Sequence, residues 1–598
     1  MKKSLTKILA LVLCLALLCG CELPGGLPGD LSGTVGDLLS QVRGSVAEHN
    51  PHGLKFGDIL YARPDMDKLA ADIDAVKKAL DGGESLKTVE DLLDVCMDDY
   101  DVFSTMNALA NIYNCKDLRD EYYAAEYEWI SEESSKVSQL FDEMYYACAG
   151  SSLGPELEDD YFWDGFCEEY ADPEDSYYND ETVALMQRES ELVSRYRELM
   201  ADPVISFEGK EVSFYEKLEE LKDFSTYRDY YRYLDALMTY YRSYNEPLAE
   251  IYIELMRVRS EMAEKMGFSS CEEMEYVFYF ERDYTPQDAA VFIDEVRSCL
   301  VPIYVWANRN GVSYSAGNES MSPEELYAGA QQVTDAIGRE CAEAFSFMSK
   351  YGFYDIEPGI HKADTSFQTY LSSCEAPFIF LNPTGTDQDL VTFLHEFGHY
   401  TDAYVNFNAN ESIDLAEVFS QAMEFLSLSY MDGVLSDEEI AQLRDAKMSE
   451  ALETFIQQCA FSDFESKAHA LGPDALSAEK LNELALQTAR DFGFYEEDFA
   501  EFTQYYWMDI IHLFEYPFYV ISYPVSLDVA MQIYALEREQ EGKGMDKFFE
   551  ILPRDYYGLL DTVANGGLLS PFTEGSMASV AAVIGDTLGY KGQAAQAA

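Results

Sequence analysis

Leu394-His395-Glu396-Phe397-Gly398-His399-Tyr400 is the stretch around which the remaining residues fall into place. Residues four apart on an α-helix lie one turn apart on the same face. His395 and His399 can therefore grip one metal ion, while Glu396 beside them can work on a water held there. The chain has only 7 His in 598 residues. Multiplying residue frequencies puts a chance H-E-x-x-H at roughly one in a hundred for the whole chain. A surface helix with two solvated His has the same spacing, so the flanking sequence decides between the two.

Upstream, residues 376–382 read A-P-F-I-F-L-N, a short apolar run ended by Pro383 and Gly385 that predicts a strand. Thr386 and Asp389 are then placed to cap the helix that carries His395. A strand leading into such a helix either presents its edge to an extended peptide, which binds by adding a strand, or is simply buried. Downstream, I-D-L-A-E-V-F-S-Q-A-M-E-F-L at 413–426 predicts a buried helix with Glu417 and Glu424 embedded in it. A buried carboxylate needs a partner to offset its desolvation, and a metal is a good one. Catalytic zinc sites usually have three protein ligands and one open position. Glu411, Glu417 and Glu424 all lie within reach of the third place.

Elsewhere the pattern is predominantly helical. Met66, Leu69, Ile73, Val76 and Leu80 recur at the spacing of one buried helical face, within a helical region from about 65 to 202. V-I-S-F-E-G-K-E-V-S-F at 204–214 alternates around a Gly and predicts a hairpin. A long helix follows, from about 224 to 267. Thr285-Pro286 and Ser322-Pro323-Glu324-Glu325 are helix starts, the second with a capping-box Glu. The Tyr-rich runs near 122–127 and 145–146 read as packing. At this length the chain exceeds one compact core, so two or more lobes are expected.

The formal charge is −69, from 110 acidic against 41 basic residues. That excludes nucleic acid, which needs clustered Lys and Arg, and disfavours adhesion to anionic lipid. The 12 Cys show no metal spacing; beyond Cys14, Cys19 and Cys21 nine remain, an odd number that no set of disulfides within one chain can pair completely. Lys2, Lys3 and Lys7 precede an apolar run at 8–18 too short to span a bilayer. The run ends L-C-G-C, like a bacterial lipobox with Cys21 as the lipidated residue. Acyl chains on Cys21 would hold the protein at the outer face of a membrane, with Pro24, Gly25, Gly26, Pro28 and Gly29 as a flexible spacer.

Several linked motifs are similar to the oligoendopeptidase F branch of the thimet-oligopeptidase family of zinc metallopeptidases. They are P-F-I-F-L-N at 377–382, G-T at 385–386, F-L-H-E-F-G-H at 393–399, A-E-V-F-S-Q-A-M-E-F at 416–425 and H-L-F-E-Y-P-F-Y-V-I-S-Y at 512–523. Looser similarity extends to about 200–575. The resemblance implies a mainly α, two-lobed helical metallopeptidase with a deep central channel and a small β-element beside the H-E-x-x-H helix. It implies one zinc per chain on His395, His399 and Glu417, with Glu424 orienting a ligand, Glu396 as general base, and His512, Tyr519 and Tyr523 facing the substrate carbonyl. Many relatives carry a His in place of Asp402, and the loop from His399 to Glu417 is shorter here.

The expected organisation is a leader at 1–20, a lipidated tether at 21–64, an N-terminal helical region at 65–200, a catalytic domain at 201–575 and a tail at 576–598. The expected activity is endo-cleavage of short peptides outside the cytoplasm, by an enzyme attached to the bacterial cell membrane only through its lipid anchor. Two rivals are a helical H-E-x-x-H carboxypeptidase and a lipid-anchored peptide-binding protein without turnover.

Overall fold

The computed structural model describes residues 49–592, apart from 164, 172, 174–175, 223–225, 313, 315–319, 408–411 and 555–557. The leader, Cys21, most of the tether and Glu411 lie outside the described residues. Among the described residues no helix is long and apolar enough to cross a membrane, and nine cysteines are free thiols.

Helices dominate, in the mainly α, two-lobed arrangement that the sequence implies. The first three long helices are α1 (Met66–Gly82), α2 (Leu86–Lys116) and α3 (Glu121–Ala149). Each starts on a side chain that accepts an otherwise orphaned N–H: Asp65 from Lys68, Ser85 from Thr88, and Asp120 from Tyr122 and Tyr123. Leu69, Ile73 and Val76 are buried as their spacing predicts, and they share one core with Leu93, Phe141 and Tyr145.

A second core begins with α4 (Asp180–Ala201), which packs along α5 (Tyr227–Lys265). Between them, β1 (Val204–Phe207) and β2 (Lys210–Ser213) form the expected antiparallel hairpin. Its two turn residues, Glu208 and Gly209, both have positive φ (50° and 78°), the backbone that a tight two-residue hairpin needs. Phe461, Phe464, Trp507 and Phe514 complete this core from far along the chain.

The small β-element is a three-stranded sheet of β3 (Tyr354–Asp355), β4 (Ser366–Leu371) and β5 (Ala376–Leu381), ordered β3-β5-β4. β5 is the strand read from the apolar run at 376–382, and all six of its residues are buried. It runs parallel to β3 and antiparallel to β4. The suggestion that this strand offers an edge to a peptide is therefore corrected: both its edges are taken. The outer ladder edge belongs to β4. A run apolar at every position is what a central strand, covered on both faces, requires. The cover on one side comes from α2, whose Leu109, Ile112 and Cys115 pack with Phe367, Leu371, Phe378 and Phe380.

Beyond the sheet come α6 (Gln388–Asn406), α7 (Ile413–Leu426), α8 (Asp437–Leu471) and α9 (Ser522–Glu539), which share the largest core. The start of α6 differs from expectation in one respect. The Thr386 hydroxyl meets only the Thr384 hydroxyl, whereas Asp389 reaches back to accept from the N–H groups of Thr384, Gly385 and Thr386. Near the C-terminus, in the stretch read as a tail, α10 (Met577–Leu588) buries Met577, Val580, Ile584 and Leu588 in that core.

Candidate metal centre

Gly398 sets how closely the two ligand-bearing helices approach. A Cβ there would lie 2.6 Å from both the carbonyl oxygen of Phe419 and the Cα of Ser420 on α7. Only hydrogen allows α6 to sit backbone-to-backbone against α7. That contact carries Glu417 to the two imidazoles. Nε2 of His395 lies 3.7 Å and Nε2 of His399 3.8 Å from one Glu417 carboxylate oxygen. One ligand atom from each of the three residues falls within 4.8 Å of the others. A tetrahedral ion with bonds of about 2.0–2.2 Å needs its ligands roughly 3.3–3.6 Å apart. The two imidazole nitrogens and one carboxylate oxygen suit zinc.

The partners of these ligands also fit a metal. His395 turns Nδ1 to the Glu424 carboxylate at 2.6 Å. An N–H held there leaves the Nε2 lone pair aimed at the centre of the triad. The other Glu424 oxygen pairs with Lys447, whose ammonium also holds Glu450 at 2.8 Å. Burial works against the charged form of Glu424, but Lys447 and His395 outweigh it and hold the carboxyl below its usual range. The Ser420 hydroxyl donates to Glu417 at 2.9 Å. Burial, with help from His395, pushes His399 down to about 3, so its imidazole is neutral, as a ligand must be.

Glu396 is buried and accepts a hydrogen bond of 2.8 Å from the Ser366 hydroxyl on β4. Burial pushes its carboxyl up to about 7, although His395 and Ser366 oppose the shift. A cavity of about 150 Å³ opens beside it, lined by Ser366, His395, Glu396, Glu417 and Tyr523 among others. Glu396 is thus turned to the same space as His395 and Glu417.

His512, Tyr519 and Tyr523 come together as a cluster. His512 stacks on Tyr519 with ring centroids 5.4 Å apart, and Tyr523 meets Tyr519 edge-on at 5.2 Å. Of the three, Tyr523 lines the cavity, while His512 and Tyr519 stand behind it. Burial takes His512 down to about 4. Asp402 is occupied elsewhere: it holds Arg554 through both oxygens, at 2.6 and 3.0 Å, and accepts from Asn406. It buttresses α6 and is no ligand.

Sequence reasoning missed Gly398, Ser366 and Lys447. Lys447 had a signal, because it occupies the apolar row of α8 between Leu443 and Ala451, where a cation is out of place. Ser366 had none.

Comparison with known proteins agrees with this arrangement. Residues 56–164 match the peptidase M3 N-terminal domain, and residues 333–554, which include the whole triad, match peptidase family M3. Oligoendopeptidase F from Lactococcus lactis subsp. cremoris is 27% identical over 216 residues. That alignment spans 34% of this chain and 35% of the relative's own length. Among solved structures, PZ peptidase A with an inhibitor superposes at a TM-score of 0.74 and 23% identity, over 90% of this chain and 99% of that one. A structure assigned to oligoendopeptidase F gives the same TM-score and coverage at 24% identity. Both establish the fold. With the two domains matched in order, and the H-E-x-x-H helix inside the second, the chain belongs to peptidase family M3.

Proposed function

We propose that this protein is a zinc metalloendopeptidase that hydrolyses peptide bonds in short oligopeptides. The observation that carries the reading is the convergence of His395, His399 and Glu417, from two helices, beside a cavity that His395, Glu417 and Glu396 line.

His395, His399 and Glu417 would hold a zinc ion, which would supply Lewis acidity and make a nearby water more acidic. Glu396 accepts the proton from the attacking water and delivers it to the leaving amine. Ser366 holds the Glu396 carboxylate on the side of the cavity. Tyr523 donates its hydroxyl to the oxygen of the tetrahedral adduct, with His512 and Tyr519 stacked behind it to set its angle. Glu424 and Lys447 fix the His395 tautomer. An extended substrate has the outer edge of β4 available for strand addition, next to Ser366. The leader motif ending at Cys21 supports attachment to the outer face of a bacterial membrane by lipid.

Metal analysis together with internally quenched peptides blocked at both ends tests the reading. One zinc per chain and cleavage of the blocked peptides are expected, and Glu396→Gln should lower kcat by about 10²–10⁴ while retaining the metal. Cleavage only of peptides with a free C-terminus would favour the carboxypeptidase reading. Binding without turnover would favour a peptide-binding protein.

A further inference from the structure

The segment that bears His512 and Tyr519 and leads into Tyr523 has little regular structure of its own. It passes through the short helices Tyr506–Asp509 and His512–Glu515 before α9 begins at Ser522. Between them Phe518 is held at φ 59°, a left-handed conformation that a non-glycine residue keeps only where its surroundings over-determine it. Those surroundings are polar and buried. The Glu465 carboxylate accepts the Phe518 N–H at 2.9 Å. Arg282 donates to the Phe518 carbonyl at 3.0 Å and to the Ser522 hydroxyl at 2.7 Å. Four and five residues earlier in the path, Arg259 donates to the carbonyls of Phe514 and Leu513 at 2.6 and 2.9 Å.

Arg282 also reaches the ligand helix. Its Nε lies 3.2 Å from Asp414, which stands one turn before Glu417 on α7. Asp414 is fixed in turn by the Tyr284 hydroxyl, and its carbonyl by the Ser526 hydroxyl. The guanidinium is sandwiched by Tyr276 and Phe280, at 4.3 and 4.6 Å from the ring centres, and Phe280 leans on Tyr519. Neither Arg282 nor Asp414 has any exposed side-chain surface. An apolar residue would fill this space with less desolvation, so stability alone does not account for a buried ion pair here.

We infer that Arg282, with Glu465 opposite it, is a positioning residue that fixes the Phe518 peptide and thereby the aim of Tyr523 relative to the helix that carries Glu417. It acts through Tyr523 and touches no substrate. The inference rests on the peptidase reading. Glu465 is itself pushed up to about 8 by burial, so near neutral pH it is a neutral acid and glutamine is a close mimic.

The test uses the full zinc-loaded chain with Glu465→Leu, Glu465→Gln and Ser522→Ala. Leucine removes the acceptor for the Phe518 N–H; glutamine keeps it. For Glu465→Leu the expected result is a fall in kcat of at least about tenfold, with KM and zinc content within about twofold. Glutamine should restore most of the loss. Affinity for a phosphinic peptide, a tetrahedral mimic, should fall in step with kcat, while affinity for a product peptide should not. Ser522→Ala removes only a hydroxyl and should show the same signature at about threefold or more, which answers the question if the leucine variant does not fold. Folded, zinc-replete leucine and alanine variants with unchanged kcat and unchanged phosphinic affinity would overturn the inference. So would a loss that tracks melting temperature and is not restored by glutamine. A parent without turnover would fail the peptidase reading and this inference with it; an active parent with indifferent variants fails the inference alone.

Discussion

His395, His399 and Glu417 stand on two long regular helices, whereas His512 and Tyr519 lie along short turns that lead to Tyr523 in the first turn of α9. His395 and Glu417 from the first group and Tyr523 from the second line one cavity, but the two groups are held differently. The ligand side is shaped by spacing along α6 and by one absent side chain at Gly398. The tyrosine side is shaped by two buried guanidinium groups, Arg259 and Arg282, and the buried Glu465 carboxyl, which grip its backbone. Local periodicity suffices for the first, because a helix repeats itself. An irregular segment satisfies few of its own polar groups, so distant side chains must do so. Rigidity is therefore intrinsic on one side of the cavity and imported on the other.

The sharpest way to break this contrast is Gly398→Val. Added bulk against Phe419 and Ser420 should part α6 from α7, with loss of stoichiometric zinc, no turnover above the blank, and a clearly lower melting temperature. Retained zinc and activity would mean that the close approach does not assemble the triad. A smaller effect is expected on the other side. Tyr523→Phe should cost about 10²–10³ in kcat with zinc and melting temperature unchanged, whereas Tyr519→Phe should cost about tenfold or less, because only Tyr523 of the two lines the cavity. Equal losses would return Tyr519 to the reacting oxygen.

The smallest effect separates stability from chemistry within α9. Asp528 is fully buried and burial pushes its carboxyl up to about 7, with Gln532 opposing through a 2.7 Å hydrogen bond. The unfolded carboxyl titrates near about 3.9. Between those values the folded chain binds the extra proton, so this group's contribution is complete below about pH 4 and is lost as pH rises through 7. Asp528→Asn should flatten the decline in unfolding free energy between pH 5 and 7.5, by on the order of 1–3 kcal/mol, while kcat near neutral pH stays within about twofold. An unchanged slope in a denaturant series would remove Asp528 as its source.

How far the sequence could be read follows the same divide. The H-E-x-x-H pattern, the helix with Glu417 and Glu424, the helix start at Thr285-Pro286 and the capping box at Ser322 all depend on neighbours a few residues apart, and all are present. The position of β5 inside its sheet was not legible, because an apolar run does not name its partners. Ser366 meets Glu396 across 30 residues with no pattern to announce it. Glu417 came from the family resemblance, since burial and reach also admitted Glu411 and Glu424. The resemblance set His512 at the substrate carbonyl with Tyr519 or Tyr523 and did not choose between the tyrosines; of the three, Tyr523 lines the cavity.

The contact between α2 and the sheet has a consequence for the order in which this chain can be made. Leu109, Ile112 and Cys115 are covered by Phe367, Leu371, Phe378 and Phe380, which leave the ribosome roughly 250–270 residues later. At about 5–20 residues per second that is a wait of about 12–50 s. Throughout it the N-terminal helices carry an apolar face with nothing to lie against. Synthesis thus opens a period of vulnerability to chaperones, proteases and self-association that closes only when the strand preceding the metal helix arrives.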